Sequence, residues 1–234
     1  MILNTTSLIG KKLAATDGEI GHIKDFFFDD NNWTIRYLVV NTGSWLSSRL
    51  VLLAPHSFGA IDPDTGVLAI NLRMKQIEDS PPIDTHKPVS RQYEIDYYRY
   101  YGWPVYWDGG GMAGLRGYPM EDSLSKVRID RQLHLHHGED RHLRSLRAIA
   151  GYMIEATDGP IGAVSGLMVD DRSWVINDLV VDAGHWLPVK DVFVATRNVD
   201  RIAYEESAVF VSLTKEDIKR TAENEVVHAG PHRG

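Results

Sequence analysis

The chain contains its own pattern twice. Gly10 to Glu78 returns as Gly151 to Lys219, a constant 141 residues later and without a gap. Ala15-Thr16-Asp17-Gly18 recurs as Ala156-Thr157-Asp158-Gly159, and Ile20-Gly21 as Ile161-Gly162. Asp29-Asp30 with Trp33 becomes Asp170-Asp171 with Trp174, and Leu38-Val39-Val40 becomes Leu179-Val180-Val181. Gly43, Trp45 and Leu46 match Gly184, Trp186 and Leu187. A chain of 234 residues has room for two small domains with their own cores, and a duplication of this kind favours two over one large unit.

Within a copy the period is that of strands. Lys11 to Ala15 and Glu19 to Phe28 flank Asp17-Gly18, a two-residue hairpin signal in which both central residues are expected at positive φ. Asp29 to Asn32 reads as a second turn, because short polar side chains bond their own backbone. The alternative, a calcium loop, would run longer and end in a bidentate Glu, whereas these residues pass straight into Trp33 and Trp174. Trp33 to Asn41, Arg49 to Leu53 and Val67 to Leu72 supply further short strands, rich in β-branched and aromatic residues. So many short antiparallel strands predict a small closed or partly open barrel, with a sandwich as the other option. In Leu38-Val39-Val40 successive side chains must point to opposite faces, so both faces are expected to be covered.

Thr16-Asp17-Gly18-Glu19-Ile20-Gly21, then Asp29-Asp30, Trp33, Arg36-Tyr37-Leu38-Val39-Val40 and Trp45-Leu46, together resemble the PRC-barrel family, named for the cytoplasmic domain of the photosynthetic reaction centre H subunit. The resemblance implies a mainly β protein: two small PRC-type β-barrels joined by a linker that contains a short Tyr-rich α-helix. The expected division is 1–79 for the first repeat, 80–142 for the linker with its helix and polar loop, 143–222 for the second repeat and 223–234 for a flexible tail. The second copy replaces Arg36-Tyr37 by Asn177-Asp178, so the two barrels need not share a surface.

In the linker, Pro81 and Pro82 favour extended chain. From Ser90 to Tyr101 the period becomes helical, with Tyr93, Tyr97, Tyr100 and Tyr101 on one face and Gly102 and Pro104 ending the helix. An aromatic stripe at this spacing is expected to clasp a barrel. His134, His136, His137 and His142, with Glu139 and Asp140, offer metal-ligating groups, but their spacing fits no structural zinc pattern, so they are read as a polar linker and no metal is expected. Thr214 to Thr221, with Asp217 three residues after Thr214, reads as a closing helix.

Composition narrows function by exclusion. A formal charge of −7 disfavours nucleic acid as the main partner. Zero cysteines rule out thiol chemistry and fit a cytoplasmic location, and no apolar run is long enough for a transmembrane helix, though peripheral membrane association stays open. No nucleophile elbow or phosphate-binding glycine loop is present. The expectation is a non-enzymatic protein-binding or assembly module with no catalytic residues and no cofactor, its barrels paired within the chain or in a homo-oligomer such as a dimer. Its surface candidates are Trp33, Tyr37, Trp45, Trp174, Trp186, Tyr97 and Tyr100. Two alternatives stand beside it: an assembly or electron-transfer-associated factor like the reaction centre H subunit, implied by the resemblance, and a small-ligand binder or enzyme using a cleft between the barrels, with His56, Asp178 or His185 as acid or base.

Overall fold

A computed structural model describes residues 1–81, 91–103, 142–184 and 191–228, without the side chains of residues 91, 92 and 223–228. The first repeat comprises β1 (Ile2–Asn4), α1 (Thr5–Leu8), β2 (Lys12–Ala15), β3 (Gly18–Asp29), β4 (Thr34–Asn41), β5 (Leu50–Leu53), β6 (Phe58–Ile61), β7 (Leu68–Ile70) and α2 (Met74–Glu78). After α3 (Arg91–Tyr101), the second repeat runs through β8 (Leu143–Ser145), α4 (Leu146–Ile149), β9 (Met153–Ala156), β10 (Gly159–Asp170), β11 (Ile176–Asp182), β12 (Asp191–Ala195), β13 (Val199–Ala203), β14 (Ala208–Val211) and α5 (Lys215–His228). The closing helix thus extends past the 214–221 expected from the sequence and reaches His228.

The strands form two seven-stranded sheets of matching order, β5-β4-β3-β2-β7-β6 and β12-β11-β10-β9-β14-β13. Neither sheet closes into a barrel by hydrogen bonding, which corrects the closed form of the sequence expectation. β5 and β6 end the first path, and the 3-10 turn Pro55–Ser57 lies between them in the chain. The seventh strand of each sheet comes from the other repeat. β1 pairs antiparallel with the far end of β10, and β8 pairs in the same register with the far end of β3, so that Leu3 lies opposite Val169 and Arg144 opposite Phe28. The repeat therefore begins at residue 2, eight residues before its sequence identity becomes visible.

Local chemistry explains the duplicated motifs. The hairpins form where expected, but Thr16 and Asp17 are the turn residues, Ala15 pairs with Gly18, and neither turn residue has positive φ. Asp17 accepts the Met74 amide through Oδ1 at 2.8 Å, and Asp158 accepts the Lys215 amide at 2.9 Å, so each hairpin carboxylate caps its repeat's closing helix. Thr214 and Asp217 form the reciprocal cap at the start of α5, as their spacing predicts. Gly21 and Gly162 sit at bulges with φ of 147° and 156°, where an added Cβ would lie 2.0 Å and 2.2 Å from the carbonyl oxygens of Asn41 and Asp182.

A single apolar core runs through both sheets, with Leu38, Val40, Leu179 and Val181 facing into it. The opposite face of β4 carries Tyr37 and Val39, and these join Leu52, Ala54, Tyr97 and Tyr98 in a second cluster beneath α3. Both faces of the Leu38-Val39-Val40 strand are thus covered, by the core and by the tyrosine helix. Glu94 of α3 accepts the Tyr37 hydroxyl at 2.8 Å, and the Tyr97 hydroxyl donates to Leu52 O and accepts from Ala54 N. Where Tyr37 stands in the first repeat the second has Asp178.

Candidate functional site

The seam between the repeats is built by reciprocal contacts across an internal two-fold axis. Trp33 and Trp174, both at left-handed φ near 50° and 57°, exchange backbone hydrogen bonds with the opposite repeat: Ile176 N donates to Trp33 O at 2.7 Å and Ile35 N to Trp174 O at 2.9 Å. Asp30 N bonds His142 O while Asp171 N bonds Met1 O, each at 2.9 Å. The carboxylates follow the same plan. Asp171 pairs with the N-terminal ammonium at 2.6 Å, and Asp30 receives the His142 ring, the Arg144 guanidinium and the Tyr204 hydroxyl. Burial, and then the hydrogen bond to Asp30, push the Tyr204 phenol upward.

Beneath α4 the seam loses its symmetry. Asp25 is buried in β3; its carboxylate accepts from Ser145 Oγ at 2.6 Å, Phe26 N at 2.8 Å and Arg147 N at 3.2 Å. Burial dominates and holds its pKa above the ordinary 3.8, although these hydrogen bonds pull the other way. The matching position of β10 is Gly166, where a Cβ would stand 2.3 Å from Thr6 Oγ1. There the helix is held by Thr5 Oγ1, which accepts Leu167 N, and by Thr6 Oγ1, which donates to Ser165 O.

A cleft of about 690 Å³ opens over this part of the seam. Its lining contains both members of three pairs related by the 141-residue offset: Lys24 with Ser165, Thr6 with Arg147, and Ile9 with Ala150. It therefore straddles the internal axis. His22 also lines it, and among the described residues no Asp or Glu does.

The residues singled out in the sequence fall elsewhere. Trp33 stacks on Phe28 with ring centroids 5.9 Å apart, and Trp174 crosses the seam to meet Phe58 edge-on at 4.6 Å. Trp45 packs against the core and donates its indole N–H to Ile20 O. Tyr37 and Tyr97 are fully buried, whereas Tyr100 is 42% exposed and donates to Gln76 O. His56 stacks on Trp103 at 5.5 Å, on the side of the first repeat that α3 covers, whereas Asp178 belongs to β11 of the second. Trp186, His185, His134, His136 and His137 lie outside the described residues. Among the described residues no group of three or more His, Cys, Asp or Glu side chains is placed to hold a metal ion.

Sequence reasoning missed the exchanged segments and hence the cleft. The signal was present but faint: Asn4 and Ser145 at the N-caps, Leu8 and Ile149 four residues on, Gly10 and Gly151 after them. Asn4 Oδ1 accepts Thr6 N and Ser145 Oγ accepts Ala148 N, so both caps are in use.

These features define a duplicated β-protein whose halves complete each other's sheets. Residues 3–72 match the PRC-barrel domain, so the chain carries a PRC-barrel domain in its first repeat; the second repeats its strand order and register. An uncharacterized protein of Deinococcus radiodurans is similar to this chain, 36% identical over 81 residues, which span 33% of this chain and 29% of that protein. Among the described residues no helix is long and apolar enough to cross a membrane.

Proposed function

We propose that the protein is a non-enzymatic binding or assembly module of the cytoplasm, in which two PRC-type units joined as one rigid body hold protein partners in fixed relative positions. The reciprocal exchange of β1-α1 and β8-α4 carries this reading. Each long strand is completed by the other repeat, so neither half can swing away without breaking a β-ladder. Such a body suits a scaffold better than an enzyme that closes around substrate by hinge motion. The acidic groups of the seam support the same reading, because Asp25, Asp30 and Asp171 are committed to caps and inter-repeat pairs.

The test is crosslinking with mass spectrometry in cells that make the protein at native level, followed by reconstitution from purified components. A scaffold gives a defined complex that survives gel filtration, with crosslinks to fixed faces of both repeats. Absence of any complex at about micromolar concentration, or turnover of a substrate abolished by a single surface substitution, overturns the reading.

A further inference from the structure

We propose that the cleft on the internal axis binds a small amphipathic anion end-on, its charged group against Lys24 and Arg147 and its hydrocarbon body along Ile9 and Ala150, pointing away from the two cations toward the uncharged wall of Thr6 and Ser165. This does not depend on the scaffold reading.

The geometry begins with the offset pairs. Because α4 packs on β3 and α1 on β10, Lys24 and Arg147 share one wall, and their mates Ser165 and Thr6 share the other. One wall thus carries an ammonium, a guanidinium and the nearby His22 imidazole, while the opposing wall carries two hydroxyls. The Thr6 hydroxyl is already turned to Ser165 O. Ile9 and Ala150 supply apolar surface from the two short helices, and Ile9 is 40% exposed, unusual for an isoleucine in a seam.

Charge makes the same point. The whole chain is acidic, with a formal charge of −7, yet among the described residues no carboxylate lines the cleft. Asp25 lies next to Lys24 in sequence but its oxygens face the Ser145 hydroxyl and the Phe26 and Arg147 amides, and it is only 7% exposed. It attracts the Arg147 guanidinium electrostatically without forming an ion pair with it. Neither Lys24 nor Arg147 has a salt-bridge partner among the described residues. Two cations on one wall repel each other when the cleft is empty, and an anion between them relieves that repulsion. Apolar side chains beside the charge favour a ligand with a hydrocarbon body over a bare ion. A monocarboxylate with a short acyl chain has this chemistry.

Titration calorimetry on the full chain, with octanoate, octanamide and inorganic phosphate as probes, tests the proposal. Octanoate is expected to bind, with octanamide on the order of tenfold weaker because it has the same body and no charge. Lys24→Ala and Arg147→Ala should each weaken octanoate on the order of tenfold and leave the melting temperature unchanged, as both side chains are exposed. Ile9→Asp should abolish octanoate binding. The charged half of the proposal is overturned if octanamide binds as well as octanoate, and the apolar half if phosphate does. No heat with octanoate up to about 5 mM, or equal affinity in the Lys24 and Arg147 variants, overturns it altogether.

Discussion

Asp25 and Gly166 stand 141 residues apart at the same place in the two repeats and fasten the exchanged helices in opposite ways. Asp25 reaches out and caps α4 with its own carboxylate. Gly166 withdraws, leaving room for Thr5 and Thr6 of α1 to do the bonding.

The Asp25 carboxyl sets a pH dependence. Its folded-state pKa is raised, by burial first, above the ordinary 3.8. A raised folded pKa means that the group's contribution to stability is complete below the unfolded value and is lost as pH rises through the folded one. Asp25→Asn cannot ionise, yet keeps an acceptor for the Phe26 and Arg147 amides and a donor toward Ser145 Oγ. Its stability relative to the parent should therefore climb as pH rises through that window and then level off. Urea unfolding of both proteins between about pH 3 and pH 7 reads this directly, and a constant difference across the range contradicts it.

The tyrosine helix gives a contrast between neighbours. Tyr97 is fully buried and bonded at its hydroxyl, so Tyr97→Ala should cost about 3–5 kcal/mol, and Tyr97→Phe, which strands the Ala54 amide, about 1–3 kcal/mol. Tyr100 is 42% exposed and makes one hydrogen bond to Gln76 O, so Tyr100→Ala should cost only about 1 kcal/mol. Equal losses measured by urea unfolding would mean that α3 does not sit on Tyr37 and Leu52 as described.

The bulge glycines should be among the least replaceable residues of the chain. At Gly21 or Gly162 a new Cβ would overlap a carbonyl oxygen of the neighbouring strand, and backbone cannot step aside as a side chain can. Alanine at either position should cost more than about 2 kcal/mol. Gly10→Ala is the control: its φ is 80° but nothing stands within 4 Å of the added carbon, so the cost should stay at about 1–2 kcal/mol. Calorimetric melting of the three variants orders them.

Strand exchange also predicts complementation. Residues 1–110 and 111–234, made as separate polypeptides, should copurify one to one, because β1 still completes β10 and β8 still completes β3. Deleting residues 2–9 from the intact chain should speed amide exchange at Leu3's ladder partner Val169 and along the end of β10, while β3 stays protected. Two halves that each purify as stable monomers would count against the exchange.

Much of this architecture was legible in the sequence. The duplication, the two β units, the double cover over Leu38-Val39-Val40 and the helix at the tyrosines followed from period and residue type, which are local properties. The seam was not. Met1, Ile2 and His142 have no composition that marks them as interface, and which strand β1 joins is decided by packing over more than 160 residues. Trp33 and Trp174 were noticed as aromatics, but their weight in the seam comes from backbone carbonyls presented at left-handed φ, which no side-chain pattern reports. The cleft could not be read either, since its cations come from β3 and α4 and are unremarkable singly.

The internal axis has a consequence for what the cleft can recognise. Were the halves identical chains, every group on one wall would have a twin on the other, and the cavity would greet both ends of a guest alike. Joined in one polypeptide, the halves have been free to differ, Lys24 having Ser165 as its mate and Arg147 having Thr6. The fusion thereby gives the cavity a head and a tail, so that a guest has one preferred direction of entry.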